Sequence, residues 1–268
     1  MRKNLFIFFI LFSYLSITCQ SVFIVIHGTW GANGEWYVPG GDFFDALEKT
    51  AQQHNALVVP FRWSGSHRHE ERERAARNLV KLICSYTFNN IEVNIIGHSH
   101  GGTVALLASR MLEDNSINIL YTLGMPINEQ LFPNMNAMRH CYNLFSFEDL
   151  IQPVLGMFER EHISHERVAN IRVIIEGKEP NHTDLHHPLI GKWLPTVHTT
   201  CLLYLKNNRK KNMSDPGTIN FYNTTPPIYE IDRERKELLE KDNQLSVLIL
   251  NSLRQSLDMG SRMPLTKR

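Results

Sequence analysis

Apolar residues recur along this chain in two rhythms, short unbroken runs and helical stripes, and they alternate. Residues 22–26 (VFIVI) are a continuous apolar run ending at His27-Gly28, the pattern of a strand buried on both faces. A helix follows: Asp42 is its N-cap, Phe43, Phe44, Leu47 and Ala51 share one face, and Asn55 stops it. Residues 56–61 form a second strand, closed by Pro60, and 70–84 a helix with Ala75, Leu79, Leu82 and Ile83 as its stripe. Strand 91–96 leads into helix 103–113, and 117–123, 140–147 and 171–176 read as further strands. The region 189–206 reads as a last helix, broken before Pro195. Strands alternating with helices predict an α/β fold, a mostly parallel sheet of about six strands with helices on both faces. Right-handed crossovers place the C-terminal ends of the strands on one edge, where such sheets bind ligands.

The two ends of the chain differ from this middle. Arg2 and Lys3 precede an apolar run over 5–17 and then small polar residues, the layout of a secretory signal. The run is shorter than the roughly 20 apolar residues of a membrane span. Residues 1–20 are therefore expected to be a signal peptide, or a retained anchor, with the protein exported or membrane-anchored accordingly. Residues 21–206 are expected to be the catalytic domain. Past 206 the chain turns polar, basic and turn-rich, so 207–268 reads as a linker followed by a C-terminal helix with leucines at 238, 239, 245, 248, 250, 253 and 257.

Composition narrows the function classes. With 28 Lys+Arg against 27 Asp+Glu, the formal net charge is +1, and no global electrostatic case for a nucleic-acid partner exists. Four cysteines in 268 residues are too few for a disulfide framework, though one or two bridges are possible. Contact with a membrane surface could come through the N-terminal segment or the C-terminal helix.

The chemistry concentrates at residues 94–110, "NIIGHSHGGTVALLASR". A serine nucleophile must stand clear of the backbone on a sharp strand-to-helix turn, and only small flanking residues let strand and helix approach closely enough. Gly97-x-Ser99-x-Gly101, followed by Gly102, supplies them between a predicted strand and a predicted helix. The helix N-terminus adds unpaired N–H groups that favour developing negative charge. Ser99 is the expected nucleophile. His98 and His100 flank it too closely to serve as its base, and His100 is expected to contribute its backbone N–H.

This stretch resembles the serine esterases and lipases of the α/β-hydrolase superfamily, in which GHSxGG is a frequent nucleophile turn. The resemblance covers about 22–206 and implies a three-layer α/β-hydrolase fold, no cofactor, an ester or lipid substrate, and a catalytic order of Ser, then Asp or Glu, then His. It places an oxyanion loop at His27-Gly28-Thr29-Trp30, so the N–H of Thr29 or Trp30 would pair with that of His100; His27 itself reads as tying the loop down. Glu148 and Asp149 lie just past the 140–147 strand, and Asp149 is the expected acid. Of the histidines beyond it, His162 and His165 precede the 171–176 strand and fall on the wrong side. His182 opens the loop after that strand and is the expected base, with His186 as the alternative.

Three rival readings stand beside this one. The set His182-x-Asp184-x-His186-His187 has the look of metal ligands, but a metal would leave the serine turn unexplained, and no metal is expected. A binding module without catalysis could keep the same fold, and the same serine could serve an acyltransferase or thioesterase. The charge run at 67–77 reads as a solvated helix face. The connection from 123 to 140 is too short for a separate cap domain, so the expected site is open, with a minimal cap.

Overall fold

The computed structural model describes residues 19–127, 132–149, 151, 163, 165–207 and 217–231. Residues 1–18 of the signal segment expected over 1–20, the C-terminal helix beyond 231 and His162 lie outside the described residues. In chain order the elements are β1 (Ser21–Ile26), α1 (Asp42–Gln53), β2 (Ala56–Phe61), α2 (His69–Thr87), β3 (Glu92–His98), α3 (His100–Ser109) and β4 (Ile117–Leu123). They continue as β5 (Met138–Phe145), β6 (Val168–Ile175), α4 (Pro188–Asn207), β7 (Gly217–Phe221) and β8 (Ile228–Ile231). One sheet runs in the order β2-β1-β3-β4-β5-β6-β7-β8, with β1 to β7 parallel and β8 antiparallel to β7.

The apolar run of β1 is explained by its two neighbours and two faces. Val22, Ile24 and Ile26 point into a core shared with α2 and α3, while Phe23 and Val25 point into a second core with α1 and α4. Pro60 lies in β2, the edge strand, where its missing N–H removes no ladder bond from the outer side. β2 and β3 lie on opposite sides of β1, so the chain reverses its winding there and opens a crevice at the C-terminal ends of β1 and β3. That crevice holds Gly28 and Ser99.

Three local expectations are corrected. The sheet has eight strands rather than about six, because β7 comes from the stretch read as linker and β8 from the start of the stretch read as a C-terminal helix. These strands have 5 and 4 residues, too few for periodicity to stand out, yet Ile219, Phe221 and Tyr229 are buried. Helix α4 continues through Pro195 instead of breaking. Its buried residues Ile190, Gly191, Leu194, Val197 and Cys201 lie on both sides of the proline, and Gly191 packs against the backbone of Phe43 in α1, so packing offsets one lost hydrogen bond. Helix α3 begins at His100, which brings Gly101 and Gly102 into its first turn. All four cysteines are free thiols.

Candidate active site

Ser99 sits between β3 and α3 with φ 52° and ψ −131°, a backbone region that costs a non-glycine residue about 1–3 kcal/mol. Its neighbours hold it there. The Ser99 N–H donates to Leu123 O of β4 at 2.8 Å, and Gly102 N–H donates to Ser99 O at 2.9 Å. Strand and helix approach so closely that a Cβ on Gly97 would lie 2.5 Å from Gly102 N, and one on Gly101 would lie 2.5 Å from Ile26 O. The strain at Ser99 is thus set by contacts that only glycine permits, and it leaves the serine at the sheet edge.

Asp149 lies just past β5 and His182 in the loop after β6. The His182 Nδ1–H donates to Asp149 Oδ2 at 2.7 Å, and both side chains are buried. This bond leaves Nε2 of His182 with its lone pair. Ile151 N–H donates to the other carboxylate oxygen, Oδ1, at 3.0 Å. Gly124, at the end of β4, makes room for the pair: its φ is +57°, and a Cβ there would lie 2.7 Å from Asp149 Oδ2 and 3.1 Å from His182 Nδ1. The alternative base, His186, is placed elsewhere, stacked on Trp36 with ring centroids 4.5 Å apart.

The two loops carrying Asp149 and His182 are tied together by a residue the sequence reading passed over. Glu179 accepts from Ser146 Oγ at 3.2 Å and from Phe147 N–H at 2.8 Å, and it forms an ion pair with Arg172 of β6. The one sequence signal for it is a carboxylate three positions before His182. Gly124 was overlooked too, although a glycine directly after an apolar strand is a turn signal.

The oxyanion side needs one correction. Trp30 has left-handed backbone angles, φ 58° and ψ 6°, and its N–H donates to Gly65 O at 2.8 Å. That amide is therefore occupied. The amide of Thr29 stays a candidate donor beside that of His100, whose N–H opens α3 and has no intrahelical acceptor. The two side chains meet as well, Thr29 Oγ1 and His100 Nδ1 lying 2.6 Å apart. His27 ties the loop down: its Nδ1–H donates to Gly28 O at 2.8 Å, its Nε2 accepts from Trp63 N–H at 3.4 Å, and its ring stacks on Trp63.

Four histidines around the serine are held neutral. Burial pushes His98 well below the ordinary histidine range, assisted by its neighbours His182 and His186, and its Nε2–H donates to His182 O at 2.9 Å. Burial likewise lowers His100 to about 4, with the Arg72 charge acting in the same direction, and lowers His186 to about 4. His27 is lowered too, again chiefly by burial. Among the described residues, no three His, Cys, Asp or Glu side chains are grouped to hold a metal ion.

No family model and no curated protein sequence matches the chain. Solved structures that resemble it include an α/β-hydrolase enzyme from the metagenome of lagoon sediments at Mar Chica, Morocco. It is 15% identical, with a TM-score of 0.45 over 70% of this chain and 92% of that one. A cutinase-like protein from Cryptococcus sp. is 12% identical, with a TM-score of 0.40 over 66% of this chain and 93% of that one. These likenesses are distant. Seven parallel strands whose winding reverses at β1, with a serine in a strained turn between strand and helix at that reversal, make this the α/β-hydrolase fold.

Proposed function

We propose that the protein is a serine hydrolase acting on carboxylic esters, with Ser99 as nucleophile, His182 as base and Asp149 as the acid that orients it. The observation that carries this reading is the buried His182–Asp149 hydrogen bond of 2.7 Å on the same sheet edge as the strained Ser99. In this scheme His182 Nε2 takes the Ser99 hydroxyl proton as Oγ attacks the acyl carbon. Asp149 holds the Nδ1–H tautomer and stabilises the imidazolium. The Thr29 and His100 N–H groups receive the charge on the tetrahedral oxygen, and His182 returns the proton to the departing alcohol. Water, activated by the same histidine, then releases the acyl group from Ser99.

The neutral histidines support this assignment. A cationic ring at His98, His100 or His186 would discourage the imidazolium that forms at His182, and burial keeps all three uncharged. The experiment is hydrolysis of p-nitrophenyl esters of increasing acyl length by the purified protein and by Ser99→Ala. Turnover by wild type that vanishes in the variant is expected. Equal turnover by both proteins, or none by wild type, would sink the reading. Export is proposed with it, from Arg2, Lys3 and the apolar run that follows; a mature N-terminus near residue 20 would bear it out, and an intact Met1 on soluble intracellular protein would contradict it.

A further inference from the structure

The largest exposed side chain at the active edge has no role in the scheme above. Trp30 is 80% exposed and adopts a left-handed backbone conformation, in which a bulky aromatic residue is an outlier. The hydrogen bond from its N–H to Gly65 O joins the 28–37 loop to the loop that leaves β2. The fold thus spends backbone strain to hold an indole out in water, next to Thr29.

The loop it is joined to is cationic. Among the described residues, Arg62, Arg68 and Arg72 have no carboxylate within ion-pair distance, and His67 is exposed beside them. Further along α2 the acids are already taken, Glu71 by Arg74 and Glu73 by His69 and Arg77. Glu70, whose charge acts on Arg72, is the one acid of 67–77 outside an ion pair among the described residues, so the stretch keeps an excess of arginine. Glu35, on the Trp30 loop, lines a separate cavity with Asp184 and His186. Arg62 reaches the Trp30 loop directly, its Nη1–H donating to Tyr37 Oη at 3.4 Å. Arg72 donates to His67 O at 2.9 Å, and its Nε is buried without a partner.

We infer that Trp30 with Arg62, Arg68 and Arg72 forms a docking surface for an anionic lipid layer, seating the mouth of the site against it. An indole at headgroup depth flanked by basic side chains is the chemistry of membrane-surface attachment. A protein partner fits less well. The neighbouring aromatics Tyr37 and Trp63 are buried and Trp36 is half-buried, so Trp30 is the one large apolar side chain these loops leave fully exposed, far short of the apolar centre of a stable interface. None of its residues belongs to either end segment of the sequence, and its binding does not depend on turnover at Ser99.

The test is co-sedimentation of the full-length protein with vesicles of phosphatidylcholine alone and of phosphatidylcholine mixed with phosphatidylglycerol. Each variant is compared with wild type carrying the same N-terminus, on both vesicle types, so the difference between the two proteins reports the substituted side chain. Wild type should prefer the anionic vesicles, and the preference should shrink as salt rises. R62Q and R68Q should each lower partitioning to anionic vesicles by about fivefold, the worth of one basic residue at such a surface. W30G should lower binding to both vesicle types by about tenfold, without lowering the unfolding midpoint, because glycine accepts the left-handed backbone freely. No preference of wild type for anionic vesicles, or variants that bind as wild type does, would overturn the inference. Turnover of a soluble short-chain ester, followed in parallel, separates the two readings: vesicle binding as described with no turnover removes the esterase proposal and leaves this one standing.

Discussion

Around Ser99 the site is shaped by side chains that are missing, whereas around Asp149 and His182 it is shaped by polar groups that meet across the sheet. On the serine side, Gly97 and Gly101 let backbone approach backbone at distances no Cβ would survive. On the other side, Glu179 gathers Ser146, Phe147 and Arg172, and a ladder of Thr122, Asn143 and Asn170 crosses β4, β5 and β6 beneath the core. Asn170 ends that ladder by both accepting from Ile163 N–H and donating to Ile163 O, each at 2.9 Å. Steric construction fails abruptly when one methyl is added. Polar construction fails by degrees, through misplaced protons and charges.

Substitutions can separate the two halves, and the largest effect is expected on the polar side. Asp149→Asn should lower kcat by about 10⁴-fold with KM little changed, because an amide donor facing Nδ1 selects the wrong imidazole tautomer; steady-state kinetics on a soluble ester would show it. Gly101→Ala should cost about 3 kcal/mol by urea unfolding, since the added Cβ meets the carbonyl oxygens of Ile26 and His27 rather than a side chain that can move. If Gly101→Ala were neutral in stability, the steric account of the serine half would be wrong.

Glu179→Gln is the milder test of the polar half. It keeps the shape but removes the charge from a largely buried ion pair, and should cost about 2 kcal/mol. With it, kcat should fall by about tenfold at unchanged KM, because the loops bearing Asp149 and His182 lose their common anchor. The smallest effect per group is in the pH dependence. His98, His100 and His186 bind protons less readily folded than unfolded, so their stability is complete above the unfolded value of 6.5 and is lost as pH falls, for His100 and His186 towards about 4. Each should cost roughly 0.7 kcal/mol between pH 7 and pH 6, read as a falling urea midpoint.

The same contrast governs what the sequence disclosed. Strands β1 to β6 and helices α1 to α3 lie close to where the apolar rhythm puts them, since each buries a run or stripe that is local in the chain. The turn at Ser99 was legible for the same reason: its glycines are its immediate neighbours. Trp30 was misread because whether an amide is free depends on Gly65, 35 positions away, which accepts from it. Glu179 and Gly124 act on residues in other loops; the strand before Gly124 marks a turn and His182 lies near Glu179, but neither signal tells which distant side chains they serve. β7 and β8 escaped notice because short strands completing a sheet take their stability from β6, not from their own pattern.

The central claim is that Ser99 is a nucleophile activated by His182. Reaction with a fluorophosphonate probe, followed by mass mapping of the labelled peptide, tests it most directly. One phosphonyl group on Ser99 of wild type is expected, with labelling abolished in Ser99→Ala and slowed by at least about 10³-fold in His182→Ala. An unlabelled wild type, undiminished labelling of Ser99→Ala, or a His182→Ala variant that labels at the wild-type rate would contradict the account.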